Sequence, residues 1–211
     1  MKIFLVRHGQ SVGNIRGLTQ GQADFDLTTE GIEQAKKVAN RLKKEVFGKV
    51  YSSDLMRVIK TRDEILKFHP EVVKPTELKV LRERPKGIFE GEPREKLIKA
   101  VESAEVSWME YVPEGGESVS KAYDKLKKFC SRIKKEAQKE NILVVSHGGP
   151  ISFILMHMLG EPVEKYSEYI GRNSNLSVLE VEKDKVNLVC FDCLRHLGPE
   201  KDEKKAYAQG E

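Results

Sequence analysis

Two short, strongly apolar runs constrain this chain most. Residues 2–6 (KIFLV) stop abruptly at Arg7-His8-Gly9, and residues 141–146 (NILVVS) stop at His147-Gly148-Gly149. Each run suits a buried strand and is too short for a helix, and each delivers a histidine at its carboxyl end. Around them, apolar residues recur at helical spacing. Leu27-Thr28-Thr29-Glu30-Gly31 opens a helix with Thr28 as N-cap and Ile32, Ala35, Val38, Ala39 and Leu42 on one face. Residues 49–53 read as a second strand, leading into a helix over 55–68 that is capped by Ser53 or Asp54 and stops before Pro70. A third short strand is expected at 78–81. Ser118 caps a long amphipathic helix through Val119, Ala122, Leu126, Phe129 and Ile133, and Pro150 starts a helix that runs to Gly160. Residues 176–181 and 186–191 read as a hairpin about Lys183-Asp184.

Strands alternating with helices predict an α/β fold: a three-layer α/β/α sandwich with a mostly parallel central sheet. Periodicity weakens from Arg82 to Gly116, where Pro85, Gly87, Gly91, Pro93, Pro113, Gly115 and Gly116 interrupt it. Residues 84–116 are therefore expected to form a short lid insertion, helical over 95–111, within a single domain spanning 1–197. Residues 198–211 are expected to be a polar, frayed tail. In parallel sheets, ligands bind beyond the carboxyl ends of the strands, so the topology places His8 and His147 at one rim.

Composition narrows the function classes. The chain has 211 residues, 39% of them hydrophobic, which is ample for a core. Its net charge is only +4, and its lysines are interleaved with glutamates, as in Lys134-Lys135-Glu136. That pattern describes solvated helix faces, not a nucleic-acid stripe. No apolar run approaches the roughly 18–20 residues of a bilayer span, and the N-terminal run is too short for a secretion signal. A cytoplasmic protein with neither nucleic-acid nor membrane partners is expected, and a homodimer on general frequency alone. The three cysteines, Cys130, Cys190 and Cys193, make an odd count. Cys190-Phe191-Asp192-Cys193 is formally C-x-x-C, but in an extended strand residues three apart face opposite ways, so the sulfurs are not expected to converge. Reduced, incidental core cysteines are the expectation.

Two further residues sit where strands give way to other structure: Arg57 in Ser53-Asp54-Leu55-Met56-Arg57, and Glu83 in Leu81-Arg82-Glu83-Arg84. Singly, each has a plain structural reading as a solvated helix arginine or a surface ion pair. Together with Arg7, His8 and His147 they suit phosphoryl transfer. Arginine forks bind phosphoryl oxygens, and an imidazole kept neutral by adjacent arginines can attack phosphorus. A carboxylate desolvated enough to hold a proton part of the time can protonate the leaving alcohol and then activate water. No P-loop, HExxH or Asp-rich cluster is present, so neither a metal nor another cofactor is expected.

These residues resemble the histidine phosphatase superfamily, the phosphoglycerate-mutase-like fold. Leu5-Val6-Arg7-His8-Gly9-Gln10-Ser11 with Asn14 is similar to its RHG signature. The similarity continues in order through Leu27-Thr28, Gly31 and Gln34-Ala35, then Ser53-Asp54-Leu55 with Arg57, then Leu81, Glu83, Gly87 and Glu90-Gly91. It ends with Gly116-Glu117-Ser118, Val145 to Gly149 and His196-Leu197. The resemblance implies that His8 carries the phosphoryl group, that Arg7, Arg57 and His147 complete the phosphate pocket, and that Glu83 is the proton donor and then the base. It also implies that Asn14 contacts phosphate and that Gln20, Gly21 and Gly148 touch substrate, while His69, His157 and His196 take no part.

Hydrolysis is expected over mutase activity. Gln20-Gly21-Gln22 stands where the mutases have a threonine-glycine pair, Gly148-Gly149 where they have Gly-Asn, and the short lid has no paired arginine. The substrate expected is a small phosphorylated metabolite such as a sugar or glycerate phosphate. A phosphoglycerate mutase and a non-catalytic phosphoryl-binding module are the alternatives. Arg84, Lys86, Arg94, Lys96 and Lys99 make the lid basic, which fits either a second anionic group or an exposed helix face. Trp108 and Tyr111 are expected to pack the lid onto the core.

Overall fold

The computed structural model describes residues 1–198 apart from Val73 and Asp184, so the expected tail lies outside the described residues except for Gly198. Strands β1 (Lys2–Arg7), β2 (Lys49–Ser52), β3 (Thr76–Glu77), β4 (Ile142–Ser146), β5 (Leu176–Glu182) and β6 (Lys185–Cys193) form one sheet. Their order is β3-β2-β4-β1-β5-β6. The first four run parallel, whereas β5 is antiparallel to β1 and β6 to β5.

Successive strand residues point to opposite faces, and here both faces are covered. Ile3, Leu5, Ile142, Val144, Leu179 and Val181 pack against α5 (Val119–Glu136) and α6 (Gly148–Leu159). Phe4, Val6, Val50, Leu143, Val145, Leu176 and Val178 pack against α2 (Thr29–Leu42) and α3 (Met56–Leu66). Helices on both sides of a mostly parallel sheet give the three-layer sandwich expected from the alternation. Strand β4 is buried along its whole length because it runs inside the sheet between two parallel neighbours.

Several boundaries follow the cap chemistry. Thr28 accepts the Gly31 N–H, Ser118 accepts the Lys121 N–H, and Gly160 ends α6 in the left-handed conformation. Others differ from expectation. The strand expected at 78–81 is a two-residue strand at Thr76–Glu77 followed by a 3-10 turn over Lys79–Leu81. Helix α3 begins at Met56 with Leu55 as its N-cap, and Ser53 is occupied elsewhere. Helix α6 begins at Gly148 with His147 as N-cap, which puts Pro150 two residues inside, where its missing N–H is still one of the free ones of the first turn. The polar loop after β1 holds a short helix, α1 (Val12–Ile15), closed by a reciprocal Ser11–Asn14 capping box.

The basic insertion carries α4 (Arg94–Ser103), shorter than the helix expected over 95–111. Antiparallel bridges join Lys86 to Gly116 and Leu18 to Pro93, tying the insertion at its base and to the loop after β1. No helix among the described residues is long and apolar enough to cross a membrane. The cysteine pair also departs from expectation. Leu176 is opposite Cys193 and Val178 is opposite Cys190, so a bulge places both cysteines opposite residues of one sheet face.

Truncating the sheet interior should be costly. Leu143→Ala is expected to lower the unfolding free energy by about 2–5 kcal/mol, read from the shift in urea midpoint at constant slope.

Candidate active site

The pairing of β1 with β4 fixes the geometry at the rim. Arg7 lies opposite Ser146 in the parallel register, and the His8 N–H continues the ladder to the Ser146 carbonyl at 3.0 Å. The next residues along the two strands are therefore neighbours: the His8 and His147 rings stand edge to face with centroids 5.2 Å apart. Arg57 enters from the first turn of α3, and Glu83 follows the 3-10 turn. Arg7, His8, Asn14, Gln20, Gly21, Arg57, Glu83, His147 and Gly148 all line one cavity of about 200 Å³.

His8 is buried, and its Nδ1 lies 2.7 Å from the Gly9 carbonyl oxygen. A carbonyl only accepts, so Nδ1 carries the ring proton and Nε2 presents its lone pair. Asn173 Nδ2 donates to the His8 carbonyl at 3.2 Å and to Asn14 Oδ1 at 3.1 Å, bracing both residues. His147 Nε2 lies 2.9 Å from Ser53 Oγ, which itself receives the Leu55 N–H. The Ser53 hydroxyl proton is thus available to Nε2, the tautomer that leaves the His147 proton on Nδ1.

Arg57 is 1% exposed, and its fork donates to the Ala23 and Gly21 carbonyls at 2.8 and 2.9 Å. Arg7 Nη1 donates to the Gly171 carbonyl at 2.6 Å. Arg7 Nε, Arg57 Nε and His147 Nδ1 are buried with no hydrogen-bond partner. Three donors gathered at one cavity without an acceptor describe a site for an oxyanion. Burial, then Arg57 and Arg7, hold the His8 pKa well below the usual imidazole value. Burial, Arg57, His8 and Arg7 do the same to His147. Arg57 itself is drawn down to about 10, chiefly by burial.

At Glu83 burial is opposed by its neighbours. Burial raises its pKa, but Lys86, the Gly149 and Arg84 N–H groups and Arg7 together outweigh burial, and its carboxyl lies below the ordinary range. Oε2 accepts from Gly149 N at 3.1 Å and Oε1 from Arg84 N at 3.0 Å. These hydrogen bonds and neighbouring cations favour the carboxylate form of Glu83.

The insertion contributes more than its basic composition indicated. Arg84, Lys86 and Arg94 line the cavity, whereas Lys96 is exposed and paired with Glu92, and Lys99 is exposed away from the cavity. Burial, opposed by Glu83, lowers Lys86 to about 8. Trp108 lines the cavity as well as packing on the core, with its indole N–H donating to the Tyr166 hydroxyl. Asn173 and Tyr166 carried no sequence signal of their own, and Ser53, expected as a helix cap, instead meets His147, a partner distant in the chain.

Gly149→Ala would place a Cβ 2.6 Å from Glu83 Oε1, closer than any tolerated contact. The variant is expected to displace the carboxylate and lower kcat by about tenfold or more in a phosphatase assay. Its urea midpoint should move little, because alanine favours the helix. An unchanged kcat would contradict the placement.

Comparison with known proteins agrees with this geometry. The profile of the histidine phosphatase superfamily (branch 1) matches residues 3–193. The chain is 30% identical over 203 residues to phosphoserine phosphatase 1 of Hydrogenobacter thermophilus, covering 94% of this chain and 95% of that one. It is 37% identical over 165 residues to the metal-independent phosphoserine phosphatase of Arabidopsis thaliana, covering 74% and 68%. Its fold superposes on the crystal structure of a putative alpha-ribazole-5'-P phosphatase from Escherichia coli with a TM-score of 0.83 at 26% identity, covering 92% and 96%. The chain belongs to the histidine phosphatase superfamily and is a phosphatase.

Proposed function

We propose that this phosphatase hydrolyses compact phosphomonoesters bearing a second anionic group, by way of a phosphohistidine at His8. The observation that carries this reading is the cluster of buried donors without acceptors beside the free His8 Nε2. A phosphomonoester dianion fills that deficit. Arg7, Arg57 and His147 Nδ1 would take its oxygens, with Asn14 at the edge of the phosphate site and Gln20, Gly21 and Gly148 shaping its wall. The dianion also offsets the positive charge of Lys86 and Arg7, two of the influences that keep Glu83 ionised, so Glu83 becomes able to hold a proton once substrate is bound.

His8 Nε2 then forms the N–P bond as the ester P–O bond breaks, and Glu83 gives its proton to the departing oxygen. In the second half-reaction the Glu83 carboxylate removes a proton from water. The water oxygen bonds to phosphorus, the N–P bond breaks, and inorganic phosphate and His8 are restored. Guanidinium groups supply the charge stabilisation at phosphorus, and the name of the Arabidopsis relative supports a metal-independent course.

Two observations support the substrate class. The cavity, about 200 Å³, is smaller than the roughly 300–1,000 Å³ typical for drug-sized ligands. Beyond the phosphate site its wall carries Arg84, Lys86 and Arg94, which suit a carboxylate. Phosphoserine and 3-phosphoglycerate fit both size and charge better than a nucleoside phosphate such as alpha-ribazole phosphate.

With phosphoserine in chelator, kcat is expected to fall by about 10²–10⁴ in Glu83→Gln and further in His8→Ala. Activity retained in His8→Ala would overturn the nucleophile assignment. In a substrate panel scored by kcat/KM, alpha-ribazole phosphate above phosphoserine would overturn the size argument. Lys86 loses its charge as pH rises through about 8, so kcat/KM for phosphoserine should decline above that pH. Lys86→Met should lower kcat/KM and abolish that alkaline decline; persistence of the decline in the variant would assign it to another group.

A further inference from the structure

Strand β6 carries a second chemical feature, on residues that do not line the cavity. Cys190 and Cys193 would stand about 10 Å apart on opposite faces of a regular strand. The bulge changes this: Cys193 pairs with Leu176 and Cys190 with Val178, two residues on the same face of β5. A two-residue advance along a strand is about 6.4–6.8 Å, inside the Cα range of disulfides. Cys190 Sγ also reaches to 3.8 Å from the Leu176 carbonyl, the residue paired with Cys193. Both cysteines are free and partly exposed, whereas Cys130 is buried.

Of the two residues between them, Asp192 connects to the cavity wall. Asp192 is buried in the left-handed conformation at φ 51°. Its Oδ1 accepts from Arg172 N and its Oδ2 from Arg172 Nε, both at 2.6 Å, while its carbonyl accepts from Arg172 Nη2 at 3.0 Å. The neighbouring Gly171 supplies the carbonyl that holds Arg7 Nη1. A Cβ at Gly171 would lie 2.2 Å from Asn175 Nδ2 and 2.8 Å from Asp192 Oδ1, so the loop has no slack.

We propose that Cys190 and Cys193 are a redox modification site, closing to an intrachain disulfide whose formation shifts Asp192 and, through Gly171-Arg172, loosens the hold on Arg7. The oxidant is a low-molecular-weight disulfide. The Cys193 thiolate attacks one of its sulfurs and expels a thiolate. Cys190 then attacks the Cys193 sulfur of the mixed disulfide, forming the Cys190–Cys193 bond and expelling the second. Two thiol protons pass to the two released thiolates, and the protein loses two electrons. Burial and the nearby Cys193 raise the Cys190 thiol pKa, with the Val178 backbone, Arg41 and Arg195 opposing.

The test incubates the full chain with oxidised glutathione and examines the peptide containing both cysteines by mass spectrometry. Loss of two hydrogens there, with a glutathione adduct retained in Cys190→Ser and Cys193→Ser, is expected. Separate adducts on both cysteines of the wild-type chain, or unreacted thiols, would overturn the site. This measurement is independent of the chemistry assigned to the cavity. The fully oxidised wild type is expected to lose about tenfold in kcat/KM toward an aryl phosphate, reversed by dithiothreitol, without a lower unfolding midpoint. Cys190→Ser, though it takes up glutathione, should keep its kcat/KM after the same treatment. Equal activity of oxidised and reduced protein would overturn the link to Arg7, and Arg7→Ala in reduced protein separately checks that Arg7 serves the reaction.

Discussion

The parallel ladder between β1 and β4 is the constraint on which the rest depends. Because Arg7 is held opposite Ser146, the chain must leave both strands at the same height, and both following residues are histidines. A shift of one residue in that register would send Val6 and Val145 to the wrong face and break both halves of the core. The hydrophobic pattern that makes the sheet therefore also sets the two imidazoles 5.2 Å apart. The placement of the two rings is a by-product of core packing, with no separate device needed to bring them together.

The electrostatics follow from the same placement. Buried guanidinium groups are satisfied only in part, by the carbonyls of loops that cross above the sheet. Full satisfaction would make a more stable protein with no appetite for phosphate. Burial leads in lowering the His8 imidazole and Lys86, with neighbouring guanidinium groups adding to it, while Lys86, two backbone N–H groups and Arg7 lower Glu83 against its burial. On the proposed reading, a bound phosphomonoester supplies the counter-charge and raises the proton affinity of Glu83.

Much of this was legible in the sequence because it rests on local rules. The strand ends at His8 and His147 follow from hydrophobic runs, the caps at Thr28 and Ser118 from short hydroxyl side chains, and the stop at Gly160 from the left-handed conformation. What was not legible depends on partners far away in the chain. The downward shift of Glu83 comes from Lys86 and from backbone N–H groups that include Gly149, 66 residues on. Arg84 and Lys86 look like surface charges until the insertion folds back on the sheet. The bulge at Asp192 has no glycine to announce it, and regular strand geometry therefore put Cys190 and Cys193 on opposite faces when the register puts them on one.

The cavity is assembled from two sources. Its end at His8 and His147 comes from strand termini and the first turns of α3 and α6, all anchored in the core. Its far end comes from the insertion and from Tyr166, with the insertion tied down by the bridges at Lys86–Gly116 and Leu18–Pro93. Such a division lets descent with modification act on the two ends separately. Exchanges within the stapled loop can redirect which molecules are accepted while the bond-breaking apparatus stays as it is, so a single ancestral scaffold can supply many metabolic niches without reinventing its chemistry.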